Sequence, residues 1–156
     1  MKKTKNIAVI AFENKKTDLI EWSYFNKEIL TGHEVFAPAF EGNVLEGTLN
    51  KKVNRLEARQ MGGYREICKL ITDNKIDAII IFGDAEDVFE AKDLNAIIKT
   101  AIDHDIIVAA NRTTADFVLH SSLLEKDYIT HASQKKTQLN RYFTEIDKPV
   151  HLAKAS

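Results

Sequence analysis

The stretch Ala78-Ile79-Ile80-Ile81-Phe82 is an unbroken apolar run, rich in β-branched isoleucine, that ends at Gly83 and Asp84. Such a run is typical of a strand buried on both faces, as in a parallel sheet covered by helices. A similar run, Ile7-Ala8-Val9-Ile10-Ala11, stands near the beginning of the chain. The two runs therefore predict two central strands of one sheet.

Segments typical of further strands and of helices alternate on either side of these runs. Three more strands are predicted over Val35 to Ala37, Val53 to Leu56 and Ile106 to Ala110. Helices are predicted after Thr17 as N-cap, over Gly42 to Leu49, from Gly63, over Leu94 to Ile102, after a Thr113-x-x-Asp116 capping box, and over Thr137 to Glu145. This alternation predicts an α/β fold with three layers, an open parallel sheet of about five strands with helices on both faces. We expect one domain over residues 1–130 and a C-terminal extension over residues 131–156.

The overall composition excludes several classes of protein. The chain has 156 residues, with 22 Lys and Arg against 23 Asp and Glu, so its net charge is −1 and lacks the basic surplus of a nucleic-acid-binding protein. The longest apolar run has only six residues, Ile7 to Phe12, and predicts no membrane span. A single cysteine, Cys68, permits no internal disulfide, so we expect a cytoplasmic protein.

Ligands of open parallel sheets bind beyond the carboxyl ends of the strands. The segments expected at that edge are Phe12 to Lys16, Pro38 to Gly42, and an acidic loop from Gly83 to Lys92. The only paired glycines, Gly62 and Gly63, precede a helix and form either a tight turn or a backbone N–H site for an anion.

Candidate site residues follow from these positions. The candidate cations are Lys15, Lys16 and Arg65, which are either phosphate-binding groups or solvated side chains. Asp84, directly after the most apolar strand, is either a catalytic carboxylate or a turn residue. None of the five histidines pairs with another at metal-ligand spacing, so we expect no metal site.

The order of these segments resembles the methylglyoxal synthase family over roughly Lys5 to Leu124. The matching stretches are Ile7 to Ala11 with Lys16 behind it, Trp22, Met61-Gly62-Gly63, Lys75-Ile76-Asp77 leading into Ile79 to Phe82, Asp84, Ile107-Val108-Ala109, Asn111, and Thr114-Ala115-Asp116-Phe117. The resemblance implies a homohexamer that converts dihydroxyacetone phosphate to methylglyoxal and phosphate without metal or cofactor. It also implies roles for Lys16 at the phosphate, for Asp84 and Asp93 in the pocket, and for both glycines beside the catalytic base.

The chain departs from the family pattern where the chemistry occurs. The family's catalytic aspartate follows the paired glycines, where this chain has Tyr64. Glu90 or Ala91 replaces the histidine at the substrate carbonyl, and Phe12 and Glu13 replace a histidine and an aspartate. The threonine-rich phosphate loop becomes Pro38-Ala39-Phe40-Glu41, with only Gly42 retained.

Three functions remain open from the sequence. The leading one is a protein that has lost the family reaction and binds a small metabolite, phosphorylated or not, or a partner. Its pocket would be more aromatic through Phe12, Phe40 and Tyr64, and more acidic through Glu13, Glu41, Asp84 and Glu90. The second is an active synthase, with Glu13, Asp84 or Glu90 as base and with Lys16 and Arg65 holding phosphate. The third is a lyase or isomerase of another small carbonyl compound.

Overall fold

The computed structural model describes residues 2–128 and residue 130. The predicted terminal helix and C-terminal extension therefore lie outside the described residues. Five parallel strands form one sheet in the order β3-β2-β1-β4-β5. The strands are β1 (Asn6–Ala11), β2 (Glu34–Ala37), β3 (Asn54–Arg55), β4 (Ala78–Phe82) and β5 (Ile107–Ala109). All five predicted strands are confirmed within one or two residues of their expected ends.

The two apolar runs are neighbours at the centre of the sheet. Strand β1 pairs with β4 over five residues, from Ile7 opposite Ala78 to Ala11 opposite Phe82. The backbone N–H of Phe12 then donates to the carbonyl of Phe82 at 2.9 Å, so both strands end at the same level. Residues that follow β1 and β4 are therefore brought together at the carboxyl edge.

Helices cover both faces of the sheet, as the sequence predicts. They are α1 (Lys16–Phe25), α2 (Lys27–Thr31), α3 (Ala39–Leu49), α4 (Gly63–Thr72), α5 (Ala85–Glu90), α6 (Lys92–Asp103) and α7 (Arg112–His120). One face buries Trp22 and Leu45 from α1 and α3. The opposite face buries Ile67 and Ile97 from α4 and α6. The three-layer α/β architecture is thus confirmed.

Two predicted helix caps are wrong. Helix α1 begins at Lys16 with Lys15 as N-cap, so Thr17 lies inside its first turn. Helix α7 begins after Asn111, whose side-chain oxygen accepts a hydrogen bond from the N–H of Thr114 at 2.8 Å. Asparagine is among the strongest N-cap residues, and its extended backbone here leaves Thr113 within the helix.

The acidic segment after β4 is not a loop. It contains helix α5, and helix α3 likewise begins at Ala39, three residues before its predicted beginning. Carboxylates in the first turn of α5 are favourable at the positive end of a helix, and Val88 anchors the helix in the core. None of the helices in the described residues is both long and apolar enough to cross a membrane.

Candidate functional site

A cavity of about 520 Å³ lies beyond the carboxyl end of β1. Its walls come from the turn after β1, the start of α3, the turn before α4, and α5. The lining residues are Ala11, Phe12, Glu13, Asn14, Phe40, Glu41, Ala58, Arg59, Gln60, Tyr64 and Asp87. A second cavity of about 340 Å³ lies at the opposite edge of the sheet, beside Asp77 and Ile107. The first cavity is the candidate site, because ligands of open parallel sheets bind at the carboxyl edge.

Arg59 is the central cation of this cavity. Its Nε and Nη2 each donate to a different oxygen of Asp93 at 2.7 Å, a bidentate ion pair. Its guanidinium carbon lies 4.8 Å from the centre of the Tyr64 ring and 5.2 Å from that of Phe12, within range of cation–π attraction. The hydrogen bonds from Arg59 hold the pKa of Asp93 below its usual range. The guanidinium is therefore fixed in orientation by one carboxylate and two aromatic rings.

Glu41 is the buried carboxylate of the cavity. It lies in the first turn of α3, is only 4% exposed, and accepts a hydrogen bond from the N–H of Ala11 at 3.0 Å. Burial raises the pKa of Glu41, while the N–H of Ala11 and the charge of Arg59 act in the opposite direction. The negative charge of Glu13 also acts on this carboxylate. The charges of Arg59 and Glu13 are thus close enough to Glu41 to affect its pKa.

Tyr64 is held in the cavity wall by the paired glycines before it. Gly62 has a φ of +104°, which glycine adopts readily. Gly63, the first residue of α4, packs so closely against the backbone of Glu57 that a Cβ there would overlap the carbonyl oxygen of Glu57. The Tyr64 ring is only 4% exposed. Burial raises the pKa of its hydroxyl above the ordinary value, so Tyr64 stays protonated at neutral pH.

Asp84 points to a different set of partners. Its carboxylate forms an ion pair with Nζ of Lys15 at 2.8 Å and accepts from the Asn14 amide at 3.2 Å. The hydrogen bond and charge of Asp84 raise the pKa of Lys15. Asp84 therefore links the turn after β1 to the N-terminus of α5.

The structure brings together only some of the residues that the sequence predicts to form the site. Five of them line the cavity: Phe12, Glu13, Phe40, Glu41 and Tyr64. Eight do not line it: Lys15, Lys16, Gly62, Gly63, Arg65, Asp84, Glu90 and Asp93. Lys16 and Arg65 are exposed, and it is Lys15 that forms the ion pair with Asp84.

Sequence reasoning misses Arg59 altogether. Its position could have indicated it, because Arg59 lies three residues before Gly62. A turn that brings the paired glycines to the ligand-binding edge also brings the residues just before them to that edge. Asn14, Gln60 and Asp87 line the cavity as well. The cavity thus contains one guanidinium, already paired with Asp93, and three lining carboxylates, Glu13, Glu41 and Asp87.

The described residues contain no group of three or more His, Cys, Asp or Glu side chains arranged to hold a metal ion. The arrangement offers carboxylates as hydrogen-bond acceptors, a fixed guanidinium as donor, and three aromatic walls. It can orient a small polar molecule.

Several known proteins are similar to this chain in sequence or in fold. No family model matches the chain. It is 33% identical over 141 residues to methylglyoxal synthase of Coxiella burnetii (strain Dugway 5J108-111), covering 88% of this chain and 96% of that protein. It is 36% identical over 120 residues to methylglyoxal synthase of Yersinia enterocolitica, covering 76% and 79% respectively. The crystal structure of methylglyoxal synthase from Elizabethkingia anophelis NUHP1 has a TM-score of 0.71 at 29% identity, covering 79% of this chain and 82% of that chain.

Proposed function

Because the chain belongs to the methylglyoxal synthase family, we propose that it is a member that has lost the family reaction and binds a small metabolite in the altered cavity. The single observation that carries this proposal is Tyr64. It follows Gly62 and Gly63, where the resemblance implies a catalytic aspartate, and its buried hydroxyl has a raised pKa. A protonated phenol does not abstract a proton from carbon at neutral pH, and loss of a general base typically lowers the rate by about 10²–10⁴-fold.

The cavity is also unfavourable for a phosphate dianion. Arg59 already shares its charge with Asp93, and Glu13, Glu41 and Asp87 line the same space. Pro38 to Glu41 stand where the resemblance implies threonine donors, and each hydrogen bond to a charged group is worth about 1.5–3 kcal/mol. Two missing donors would thus weaken phosphate binding by roughly 3–6 kcal/mol on that scale.

A second candidate is an active synthase whose catalytic groups have moved. Glu13 supports this candidate, because its carboxylate lines the cavity together with Arg59. In that case Glu13 would act as base and Arg59 would hold the phosphate. Release of phosphate from dihydroxyacetone phosphate by the purified chain would support it.

The family resemblance further supports a homohexamer in the cytoplasm, with residues 1–130 as its folded domain. Light scattering coupled to size-exclusion chromatography tests the assembly, with about six times the chain mass of 17.7 kDa expected. A monomeric mass at micromolar concentration would exclude that assembly.

Thermal-shift screening of the full chain against amines, amino acids, nucleosides and sugar phosphates tests the proposed binding role. We expect at least one compound without a phosphate group to raise the melting temperature. Phe40→Ala, in the cavity wall, should reduce that shift, whereas Phe117→Ala, 76% exposed on α7, should leave it intact. Stabilisation by phosphates alone would contradict the proposal.

A further inference from the structure

The guanidinium of Arg59 retains hydrogen-bond donors that the protein itself does not use. Nε and Nη2 donate to Asp93, and Nη1 carries two further N–H groups. Among residues 2–128 and 130, Nη1 donates no hydrogen bond to the protein. Because Phe12 and Tyr64 lie against the guanidinium and Asp93 fixes its plane, these donors are oriented before a ligand arrives. The cavity therefore offers a rigid donor to an oxygen atom.

Acceptors for a positively charged group line the same cavity. Glu13 is exposed at its mouth, and Glu41 is buried in its wall. Glu41 uses one oxygen to accept from Ala11 and is close enough to both Arg59 and Glu13 for their charges to act on it. A positively charged group of a ligand can thus donate to Glu13 or Glu41 while an oxygen of the same ligand accepts from Arg59.

The charge pattern discriminates among simple ligands. An anion would meet Arg59 but would also face the carboxylates of Glu13 and Glu41. A bare cation would meet those carboxylates but would leave Nη1 of Arg59 without an acceptor and would face a like charge. A small molecule that carries both a negative and a positive charge can bind Arg59 with the first and the carboxylates of Glu13 and Glu41 with the second.

The size and walls of the cavity suit such a molecule. Its volume of about 520 Å³ lies within the usual range for small-molecule sites. The Phe40 ring adds a third aromatic wall against which an aliphatic or aromatic side chain can pack. The cavity thus combines a donor, acceptors and an apolar surface.

From this pattern we propose that the ligand is a small zwitterion of the amino-acid class, with its carboxylate on Arg59 and its ammonium between Glu13 and Glu41. The inference rests on the proposed binding role and names the ligand class for that cavity. Asp93 acts as the positioning residue for Arg59.

Calorimetry on the full chain tests the ligand class. The probes are the twenty standard L-amino acids, screened first by thermal shift. For each amino acid that binds, the matching amine without the carboxylate and the matching acid without the ammonium are titrated in parallel. L-Phenylalanine, for example, is compared with phenethylamine and 3-phenylpropanoate. We expect at least one amino acid to bind, and both single-charge analogues to bind at least tenfold more weakly.

Variants tie the binding to the named side chains. Arg59→Lys keeps the charge but loses the bidentate donors, and Glu13→Gln removes an exposed carboxylate with little risk to folding. We expect each to weaken amino-acid binding at least fivefold, whereas Glu86→Gln, on the exposed side of α5, leaves it unchanged.

Three results would overturn the inference. They are failure of all twenty amino acids to bind, an amine that binds as tightly as its amino acid, and unchanged affinity in Arg59→Lys. If another compound class then raised the melting temperature, the proposed binding role would stand while the zwitterion assignment failed. If the chain turned over dihydroxyacetone phosphate, the proposed loss of reaction would fail regardless of amino-acid binding.

Discussion

Arg59 and Asp93, thirty-four positions apart in sequence, form two parallel hydrogen bonds of 2.7 Å that tie the turn before α4 to the first turn of α6. The pair holds the guanidinium beside the rings of Tyr64 and Phe12. Asp93 thereby controls the orientation of a residue that lines the site, although Asp93 itself does not line it.

Replacing Asp93 by Asn removes the charge of this pair and one good acceptor for Arg59. Because both side chains are partly solvent-exposed, we expect a loss of only about 1 kcal/mol in the free energy of unfolding. Urea unfolding at pH 7 measures this loss. Asp103→Asn, at the exposed end of the same helix, is the control and should change stability by less than about 0.5 kcal/mol. Equal stability of the two variants would show that the pair contributes nothing.

The same pair predicts a dependence on acid. The folded-state pKa of Asp93 lies below its unfolded value, so its contribution is complete above the unfolded pKa of about 3.9 and disappears as pH falls through the folded pKa. The difference in stability between wild type and Asp93→Asn should therefore shrink below about pH 4. A difference that stays constant down to pH 3 would contradict the assignment.

Gly63 is required where α4 meets the segment before it. A Cβ at this position would overlap the carbonyl oxygen of Glu57, so Gly63→Ala forces backbone to move. We expect a loss of about 3 kcal/mol, at the upper end of overpacking costs, measured by urea unfolding. Gly47→Ala is the matched control, because it lies in helix α3 with open space around its Cβ position. That variant should gain roughly 0.5–1 kcal/mol, and a comparable loss in both variants would contradict the packing argument.

His33 predicts a second pH effect. Its imidazole is buried, and Nδ1 accepts a hydrogen bond from the backbone N–H of Lys5 at 2.9 Å, which requires the neutral ring. Burial lowers the pKa of His33 below the unfolded value of about 6.5, so its contribution is complete above pH 6.5 and is lost as pH falls toward the folded pKa.

His33→Asn keeps an acceptor at a similar position but removes the titration. We expect this variant to lose less stability than wild type between about pH 6.5 and pH 5, as measured by thermal and urea unfolding. Parallel curves for the two proteins across this interval would show that His33 does not carry the effect.

Tyr64 predicts a contrast between two substitutions. Tyr64→Phe keeps the ring that packs against Arg59, so we expect a stability change of about 1 kcal/mol or less and unchanged ligand binding. Tyr64→Asp removes a buried ring and places a carboxylate near Glu41, so we expect a loss of about 3 kcal/mol or more. It should also fail to release phosphate from dihydroxyacetone phosphate, because Phe12 and Glu41 remain. Rapid turnover by Tyr64→Asp would show that one residue alone separates this chain from its active relatives.

The sequence predicts the sheet well because the information for its strands is local. The runs ending at Ala11 and Phe82 each have five apolar residues without interruption, and their short length and β-branched residues favour a strand buried on both faces. The break at Gly62 and Gly63 likewise places the beginning of α4. Helix α5 is not predicted because three of its six residues are charged, and Val88 is the one residue of α5 that is buried in the core.

The candidate site is less predictable because its main contacts are long-range. The predicted parallel sheet puts the segments that contain Phe12, Glu13, Phe40, Glu41 and Tyr64 at one edge, and the fold brings these residues around a single cavity. Nothing local in the sequence distinguishes Arg59 from the other basic residues. Its partner Asp93 belongs to a different helix, so their pairing depends on the packing of α4 and α6 against the same face of the sheet.

Turnover of dihydroxyacetone phosphate by the purified full chain tests the central claim most directly. Phosphate and methylglyoxal are measured together at pH 7, beside the methylglyoxal synthase of Elizabethkingia anophelis as the positive control. We expect no release of either product above the rate without protein, because Tyr64, which stays protonated, follows the paired glycines where the family resemblance implies the base. Release of both products in equal amounts, at a rate within about 100-fold of the control enzyme, would contradict it.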